Sequence, residues 1–382
     1  MQRHLHRLLE WIRGAGWAAT VVTTAGGRVS DCDAEFVELP GTTPGRYGRR
    51  WWASTRQFVR CCDLGAWDVV VSEDGGAWAV VDEFREHGPA LPIVMVRHGT
   101  ALQNMRTQLR QPSPRSLIRA AAAARDMWRH ARRLAPYVDI MVCVSPNIAR
   151  EVRLESSAPL RDVRTVPLGT DLSLFKPCLS PGPARRQLGL RPDVPTLLAV
   201  GRDDPQKRLS FALDVFEALT AAGGEFQLFV AAAHPRSRTV RQFETVQRKY
   251  PSRIVLIKNV PNRMLQVPYQ AASVALFPSV APEGNPTTVM EALASGLPVL
   301  VAKNQTLQDH PLVNEQPAWV VDSDLPSVWS ERVQALMPTG PSDPNAQAAR
   351  ALAERHFDVR TTQRLTLQAL SDAVSTFARE AG

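Results

Sequence analysis

The sequence predicts an α/β protein made of two doubly wound, Rossmann-like domains in tandem. Its 382 residues exceed the usual size of one domain. Short apolar runs alternate with longer amphipathic segments in both halves, which is typical of βαβ units and parallel sheets. A stretch rich in proline and glycine, residues 178–195, separates the halves. We therefore expect a first domain over residues 1–178, a second over 179–358, and a helix over 359–382 that packs back toward the first domain.

The predicted strands are the short apolar runs. In the first half they lie at 17–23, 68–72, 91–96, 138–144 and 163–167; in the second they lie at 196–200, 226–231, 253–257, 274–278, 297–301 and 318–321. Helices are predicted at 116–134, 208–222, 238–250, 263–272, 286–295 and 359–380. The later strands are almost continuously apolar, as expected for a sheet with helices on both faces. Ligands bind beyond the carboxyl ends of such strands, so the site is expected in a cleft between the two domains.

The composition and the motifs exclude several classes of protein. The five cysteines are odd in number and lack metal-ligand spacing, which favours free thiols in the cytosol. No apolar stretch reaches the roughly 18 residues that span a bilayer, and the first residues do not resemble a secretory signal. No Gly-x-Gly-x-x-Gly follows a predicted strand, and no P-loop motif is present. These observations argue against a nicotinamide dehydrogenase and exclude a P-loop enzyme. We expect a cytoplasmic protein.

The net charge of +8 is carried almost entirely by arginine, since the chain has only five lysines. Such usage follows from a GC-rich coding sequence and does not indicate nucleic acid. From Arg97 to Arg133 there are nine arginines and one acidic residue, Asp126. This run suits an anionic acceptor or peripheral contact with an anionic membrane at its inner face. A plain solvated helix face is the alternative, and the sequence leaves it open.

One helix of the second half has clear sequence signals at both ends. Asn285 is predicted as its N-cap, Pro286 as its first helical residue and Gly296 as the residue just past its end. Because this helix follows the strand at 274–278, its N-terminus should point out at the carboxyl edge of the sheet. The free N–H groups and the dipole of that N-terminus predict an anion site that suits a diphosphate.

Charged residues of both signs accompany this predicted anion site. Glu283 precedes the helix, and Glu291 lies inside it, roughly 8–9 Å along the axis from its start. That separation excludes a close acid/base pair but suits an extended ligand with a reacting end and a ribose diol. Arg202 and Lys207 follow the strand at 196–200, where they would neutralise a diphosphate and stabilise its departing charge. Taken singly, each of these residues is equally well read as an ordinary surface charge.

In their order and spacing, these motifs resemble family 4 of the retaining glycosyltransferases, which have the GT-B fold. The matching pieces are Gly201-Arg202 with Lys207, the pair Glu283 and Glu291 separated by seven residues, Gly296-Leu-Pro-Val, Val144-Ser-Pro-Asn, and the segment 166–177. The resemblance covers the whole chain and is strongest in the C-terminal half. In the first half, Val96-Arg-His98-Gly99 resembles the strand-end histidine that the family places beside the donor sugar.

The resemblance implies a role for each matching residue. Glu283 would contact the sugar hydroxyls near the reacting carbon, Glu291 would hold the ribose, and Arg202 and Lys207 would grip the diphosphate. With His98, the catalytic set is Glu283, Lys207, Arg202 and His98. Further substrate-binding positions are expected in three places. Gly284, Asn285 and Thr287 lie near the helix start, Gly201 immediately precedes Arg202, and Val260 would lie beside the nucleotide base.

The implied activity is a metal-independent, retaining hexosyl transfer from a nucleotide-diphosphate sugar by front-face displacement. The acceptor would be a glycan, lipid or small molecule, in glycan, glycolipid or cell-surface polysaccharide synthesis. No metal and no cofactor are expected, because the chemistry of the family that the chain resembles needs no metal. Two alternatives stay open: a non-catalytic GT-B protein that binds a sugar nucleotide, and a GT-B epimerase or phosphorylase.

The sequence departs from the family pattern in two places. The family opens with a strand and a Gly-Gly loop, whereas the first residues here already resemble the helix that follows them. We expect the opening strand, which would lie in mid-sheet, to be missing, and the natural protein to begin about 10–20 residues upstream. A true truncation is the alternative. The second departure is the segment 231–235, where Ala-Ala-Ala-His-Pro replaces the usual glycines.

Overall fold

The computed structural model describes residues 2–28, 34–44, 48–109, 114–156, 159–204, 206–261, 264–280, 285–303, 309–338 and 343–381. The chain forms two compact units, one of residues 1–167 with 360–382 and one of residues 168–359. Both have the parallel α/β architecture that the alternating pattern predicts.

The elements follow one another along the chain in an almost regular alternation of strand and helix. In the first 167 residues they are α1 (Gln2–Gly14), β1 (Thr20–Thr24), β2 (Glu35–Leu39), α2 (Arg49–Cys61), β3 (Val70–Glu73), α3 (Trp78–His87), β4 (Ile93–Arg97), α4 (Ala101–Leu109), α5 (Pro114–Arg129), β5 (Ile140–Cys143), α6 (Pro146–Glu155) and β6 (Asp162–Thr165). The remaining elements are α7 (Gly182–Gln187), β7 (Thr196–Arg202), α8 (Phe211–Ala221), β8 (Gln227–Ala233), α9 (Ser237–Lys249), β9 (Ile254–Lys258), α10 (Gln266–Ala271), β10 (Val274–Phe277), α11 (Thr287–Ala294), β11 (Val299–Ala302), α12 (Pro311–Glu315), β12 (Val320–Val321), α13 (Pro326–Ala335), α14 (Pro344–His356) and α15 (Val359–Ala381).

The first unit contains a four-stranded parallel sheet in the order β3-β4-β5-β6 and a separate parallel pair, β1 with β2. Within the described residues, β1 pairs only with β2, and β3 pairs only with β4. Strand β2 was not predicted, because its sequence EFVEL carries a glutamate at both ends of a short apolar stretch.

The terminal helix α15 packs with the first unit. Arg164 on β6 makes an ion pair of 2.6 Å with Asp372 on α15, and the Thr362 hydroxyl donates to the Pro167 carbonyl over 2.8 Å. Both contacts join the end of the first sheet to the helix, and residues 360–382 accordingly fall in the same unit as residues 1–167.

The second unit is a six-stranded parallel sheet in the order β12-β11-β10-β7-β8-β9. All six predicted strands of this half are present. The core is formed by the apolar faces of the sheet and of its covering helices, with Leu197, Phe229 and Met290 fully buried. The strand order reverses between β7 and β10, and this topological switch point is where doubly wound sheets bind ligands.

The boundary between the units lies eleven residues earlier than the predicted one at residue 178, since residues 168–178 pack with the second unit. Phe175 is buried against the Tyr269 ring, with 5.5 Å between centroids. Arg350 on α14 donates to the carbonyls of Leu172 and Phe175. The prediction was wrong here because proline and glycine mark a turn in the chain, whereas the packing partners of the preceding residues lie far away in sequence.

Candidate functional site in the second unit

The carboxyl ends of β7 and β10 meet at the switch point, and each continues into a loop that leads to a helix. Strand β7 ends at Arg202, and the following loop carries Lys207. Strand β10 ends at Phe277, and the following loop leads to α11. The two loops are joined where they begin, because Val280 N–H donates to the Gln206 carbonyl over 3.1 Å.

Two cations lie at this edge of the sheet. The Arg202 side chain is exposed and makes no hydrogen bond or ion pair with any described residue. The Lys207 ammonium lies 5.0 Å from the centroid of the Phe277 ring, which places it at the end of β10. Arg202 therefore has its full hydrogen-bonding capacity available for an anionic ligand.

Other arginines near the ends of these strands are already neutralised. Arg236 makes an ion pair of 3.1 Å with Asp203, and Arg208 pairs with Asp324. Burial raises the pKa of Asp203, but hydrogen bonds from Arg236 and Thr239 outweigh it and lower the pKa below its ordinary value. Asp203 is thus an anion committed to Arg236, which leaves Arg202 to meet a ligand.

Helix α11 begins one residue later than predicted. It starts at Thr287, and Pro286 occupies the N-cap position with an extended backbone (φ −76°, ψ 99°) and no side-chain capping bond. The prediction of Asn285 as N-cap and Pro286 as first helical residue is therefore wrong. The first N–H groups of a helix have no partner inside it, and the side chain of the N-cap residue Pro286 supplies none. The Thr288 hydroxyl is buried and makes no hydrogen bond with a described residue.

The end of α11 is as predicted. Gly296 has φ +71°, a conformation that costs glycine little. Its N–H donates to the Leu293 carbonyl over 2.9 Å, and Leu297 N–H donates to Ala292 over 2.9 Å, which is the Schellman arrangement. A Cβ at this position would lie 3.1 Å from Pro177 Cγ. The glycine therefore ends the helix after eight residues.

Glu291 lies four residues after Thr287, about 6 Å along the axis, which is shorter than the 8–9 Å expected from the predicted start. Its side chain is only 2% exposed, and its Oε2 accepts a hydrogen bond of 2.7 Å from the Tyr269 hydroxyl. Tyr269 and Thr288 line a small cavity between β7, β10 and α11. Sequence reasoning identified Glu291 but missed Tyr269, which lies 22 residues earlier on a different helix.

The predicted base-binding segment follows β9. Asn259 has φ +53°, and its side-chain oxygen accepts the N–H of His234 over 2.8 Å. Val260 is partly buried against the core. Glu283, Gly284 and Asn262 lie outside the described residues. Of the remaining predicted positions, Gly201 and Arg202 end β7, Asn285 and Thr287 lie at the start of α11, and Lys207 lies in the loop after β7.

Candidate functional site in the first unit

His98 follows the end of β4, and Glu73 ends the neighbouring strand β3. The His98 Nε2 lies 2.6 Å from Glu73 Oε2. The other carboxylate oxygen, Oε1, lies 3.4 Å from His4 Nε2 on α1, and the two imidazole rings meet edge to face with centroids 4.9 Å apart. Sequence reasoning singled out His98 and missed both partners; the position of Glu73 just past a predicted strand was the available signal.

The electrostatics of this group centre on Glu73. Burial raises the pKa of the Glu73 carboxyl, but its interactions with His4 and His98 lower it, with a net fall to about 2. The next residue, Asp74, has a positive φ of +49° and accepts the His98 N–H over 3.3 Å. Burial raises the pKa of Asp74 against the opposing charge of Arg97.

Two groups of side chains in the described part of the chain have the composition and spacing of metal ligands. One is His4, Glu73 and His98; the other is Glu83, Glu86 and His87 on α3. In the second group Glu86 and His87 are exposed, and Arg60 lies 3.7 Å from Glu86 and 3.9 Å from Glu83. That group is therefore a solvated, partly neutralised helix face.

No described helix is long and apolar enough to cross a membrane.

Relation to known proteins

Comparison with solved structures defines the class of protein. Sucrose-phosphate synthase from Thermosynechococcus elongatus superposes with a TM-score of 0.72 at 20% identity, over 98% of this chain and 93% of its own. Anabaena HepE, solved with UDP and glucose, has a TM-score of 0.72 at 15% identity, over 96% of this chain and 95% of its own. WaaG, a glycosyltransferase involved in lipopolysaccharide biosynthesis, has a TM-score of 0.71 at 18% identity, over 97% of this chain and 95% of its own. At these identities the likeness establishes the fold, which is GT-B with two Rossmann-like domains.

Sequence comparison then gives the family. The model "Glycosyltransferase Family 4" matches residues 1–174, and "Glycosyl transferases group 1" matches residues 183–351. The chain belongs to the family 4 GT-B glycosyltransferases. A serotype-specific mannosyltransferase of Escherichia coli, WbdA, is 24% identical over 213 residues, which are 53% of this chain and 25% of WbdA. This chain thus spans about a quarter of the length of that relative.

Proposed function

We propose that this glycosyltransferase takes its sugar from a nucleotide-diphosphate donor held by the second unit. The observation that supports the proposal most strongly is the exposed Arg202 at the switch point, which has no partner among the described residues. Lys207 and the N-terminus of α11 lie at the same strand ends, and the N-cap Pro286 makes no side-chain capping bond there. Guanidinium, ammonium and backbone N–H groups are the donors that bind diphosphates. The Anabaena relative was solved with UDP and with UDP-glucose, which agrees with a donor of this class.

The same groups supply the main catalytic effect. Negative charge grows on the diphosphate as its bond to the sugar breaks, and fixed cations stabilise that charge at the transition state. Arg202 and Lys207 would thereby take the role that a metal ion has in other transferases. The acceptor hydroxyl attacks the anomeric carbon on the face from which the diphosphate leaves, and its proton passes to a diphosphate oxygen. The configuration at that carbon is retained.

Each remaining candidate residue would contact a different part of the donor. Glu291 is fixed by Tyr269 inside the second unit and would hold the ribose diol, while Glu283 would contact the sugar hydroxyls. His98, at the end of β4, would contact the donor sugar. The mannosyltransferase relative and the lipopolysaccharide enzyme favour an acceptor in cell-surface polysaccharide or glycolipid synthesis.

We also propose peripheral contact with an anionic membrane through α5. Leu117, Ile118 and Trp128 are large apolar residues that this helix exposes to solvent. At 3.6 residues per turn, Leu117 and Trp128 fall within about 20° of each other. Arg115, Arg119 and Arg125 are exposed on the same helix and form no ion pair with a described residue. Exposed apolar residues beside unpaired arginines are typical of helices that lie in the membrane interface.

The donor assignment is tested by thermal shift and turnover. A ligand that binds only the folded protein raises its melting temperature. Of UDP, GDP and ADP, one nucleotide and its sugar conjugates should raise the melting temperature, and the others should not. Arg202→Ala should abolish the shift, and Arg248→Ala, a control at the far end of α9, should keep it. A shift that survives in Arg202→Ala would refute this site, and binding without any turnover would indicate a non-catalytic protein.

The membrane proposal is tested by vesicle flotation. The protein should float with anionic vesicles and not with neutral ones, and binding should weaken as salt screens the arginines. Trp128→Ser should reduce binding, whereas Trp17→Ser, which changes an exposed tryptophan outside α5, should not. Equal flotation of both vesicle types, or of neither, would favour the plain solvated face.

A further inference from the structure

The cluster formed by His4, Glu73 and His98 has more ligand atoms than its hydrogen bonds use. One atom from each residue can be chosen so that all three lie within 4.8 Å of one another. The three side chains come from α1, β3 and β4, so the clustering results from the tertiary fold. Their side chains are 12%, 20% and 22% exposed, which leaves the cluster sheltered but accessible to small ions from solvent.

The contact between His4 and Glu73 places two acceptor atoms face to face. His4 Nε2 and Glu73 Oε1 are buried, lie 3.4 Å apart, and have no hydrogen-bond partner among the described residues. When the His4 proton is on Nδ1, Nε2 presents a lone pair, and so does the carboxylate oxygen. Two lone pairs at this distance repel each other unless a proton or a metal cation lies between them. A proton on His4 Nε2 or a metal cation bound by both atoms meets that requirement.

We propose that His4, Glu73 and His98 form a binding site for a divalent transition metal ion of the zinc class. Two imidazoles and one carboxylate are a known three-ligand set for zinc, with an open fourth position for water. Tetrahedral zinc needs ligand atoms about 3.3 Å apart, against the observed 2.6 Å and 3.4 Å from Glu73 to its two histidines. The two contacts use different oxygens of the Glu73 carboxylate, and one ligand atom from each residue lies within 4.8 Å of the other two, so small side-chain rotations would bring the three atoms around one ion.

The ion would act as an inhibitor of transfer and not as part of it. This consequence rests on the proposed function, in which His98 lies beside the donor sugar. A bound ion takes the Nε2 of His98 and places a positive charge at the strand ends of the first unit. Zinc should therefore reduce turnover, and a chelator should restore it.

The test measures metal binding directly, without nucleotide or acceptor, so its outcome does not depend on the proposed function. Co²⁺ is titrated into the chelator-treated protein and followed by its visible absorption bands, and Zn²⁺ is then added to displace it. One equivalent should bind. His4→Asn and Glu73→Gln should each weaken binding more than about 100-fold, because even second-shell partners are worth about 10–100-fold. His6→Asn, on the same helix, should bind like the parent protein.

A second measurement uses the unmodified sequence and does not depend on the folding of a variant. Diethylpyrocarbonate modifies free imidazole nitrogens, and mass spectrometry locates the products. Zn²⁺ should protect His4 and His98 and leave His6 reactive. Failure of the parent protein to bind Co²⁺ or Zn²⁺, binding that persists in both variants, or zinc that protects no histidine would each overturn the site and favour a proton on His4 Nε2 that faces Glu73.

Discussion

The second unit should lose stability between pH 6.5 and pH 4 because of one histidine. His310 is 8% exposed, and its ring stacks on Phe357 at 5.0 Å. Its Nδ1 accepts the Leu312 N–H over 3.3 Å, while its Nε2 is buried without a partner among the described residues. Burial, with a smaller contribution from His356, lowers the pKa of His310 from 6.5 to about 4.

The sign and size of the effect follow from this pKa. Below pH 6.5 the unfolded chain binds a proton that the folded chain does not. The free energy of unfolding therefore decreases as the pH is lowered, and it levels off near pH 4. The full loss is about 3 kcal/mol, from about 1.4 kcal/mol per pKa unit. Between pH 7 and pH 5 it amounts to about 2 kcal/mol.

The assay compares urea unfolding at pH 7 and pH 5, followed by the fluorescence of Trp319 and Trp329, which are buried in the same unit. His310→Asn keeps a capping oxygen and removes the titration, so its loss between the two pH values should be smaller by about 2 kcal/mol. His234→Asn, an exposed control whose positive φ asparagine tolerates, should behave like the parent protein. An equal pH dependence in all three proteins would refute the reasoning.

Three further predictions concern the transfer reaction. Glu283→Gln and Lys207→Ala should each lower kcat at least about 100-fold, the usual cost of a lost transition-state contact; near-normal kcat in both would remove these residues from the reacting end. Glu291→Gln should raise the KM for donor more than it lowers kcat, and Tyr269→Phe should act in the same direction to a smaller extent; steady-state kinetics that show the reverse would place Glu291 at the chemical step. Activity should persist in EDTA; complete loss that magnesium or manganese restores would show that the cations do not replace a metal.

The sequence predicted the second unit better than the first, for a physical reason. Strands such as β8 and β11 are buried on both faces and read as continuous apolar runs, a signal that depends on no distant residue. Strand β2 mixes exposed glutamates with half-buried residues. Such elements are stabilised by their neighbours in space, and their local pattern is correspondingly weak.

The residues of the candidate sites also differ in how far the sequence could predict them. Residues at strand ends and helix starts, such as Arg202 and Glu291, could be predicted because strand, loop and helix follow in sequence. The partners of those residues could not. Tyr269 reaches Glu291 from another helix, and His4 reaches Glu73 across 69 positions. The start of α11 also differs from the prediction, since Asn285 suits an N-cap by residue type but Pro286 occupies that position.

The most direct test of the central claim is calorimetric titration of the preferred nucleotide as its diphosphate and as its monophosphate. If Arg202 grips the second phosphate, the parent protein should bind the diphosphate about 10–100 times more tightly, as one charge-assisted hydrogen-bonded contact is worth about 1.5–3 kcal/mol. Arg202→Ala should lose most of this preference, and Arg248→Ala should retain it. An unchanged preference in Arg202→Ala would contradict the assignment of the diphosphate to the switch point of the second unit.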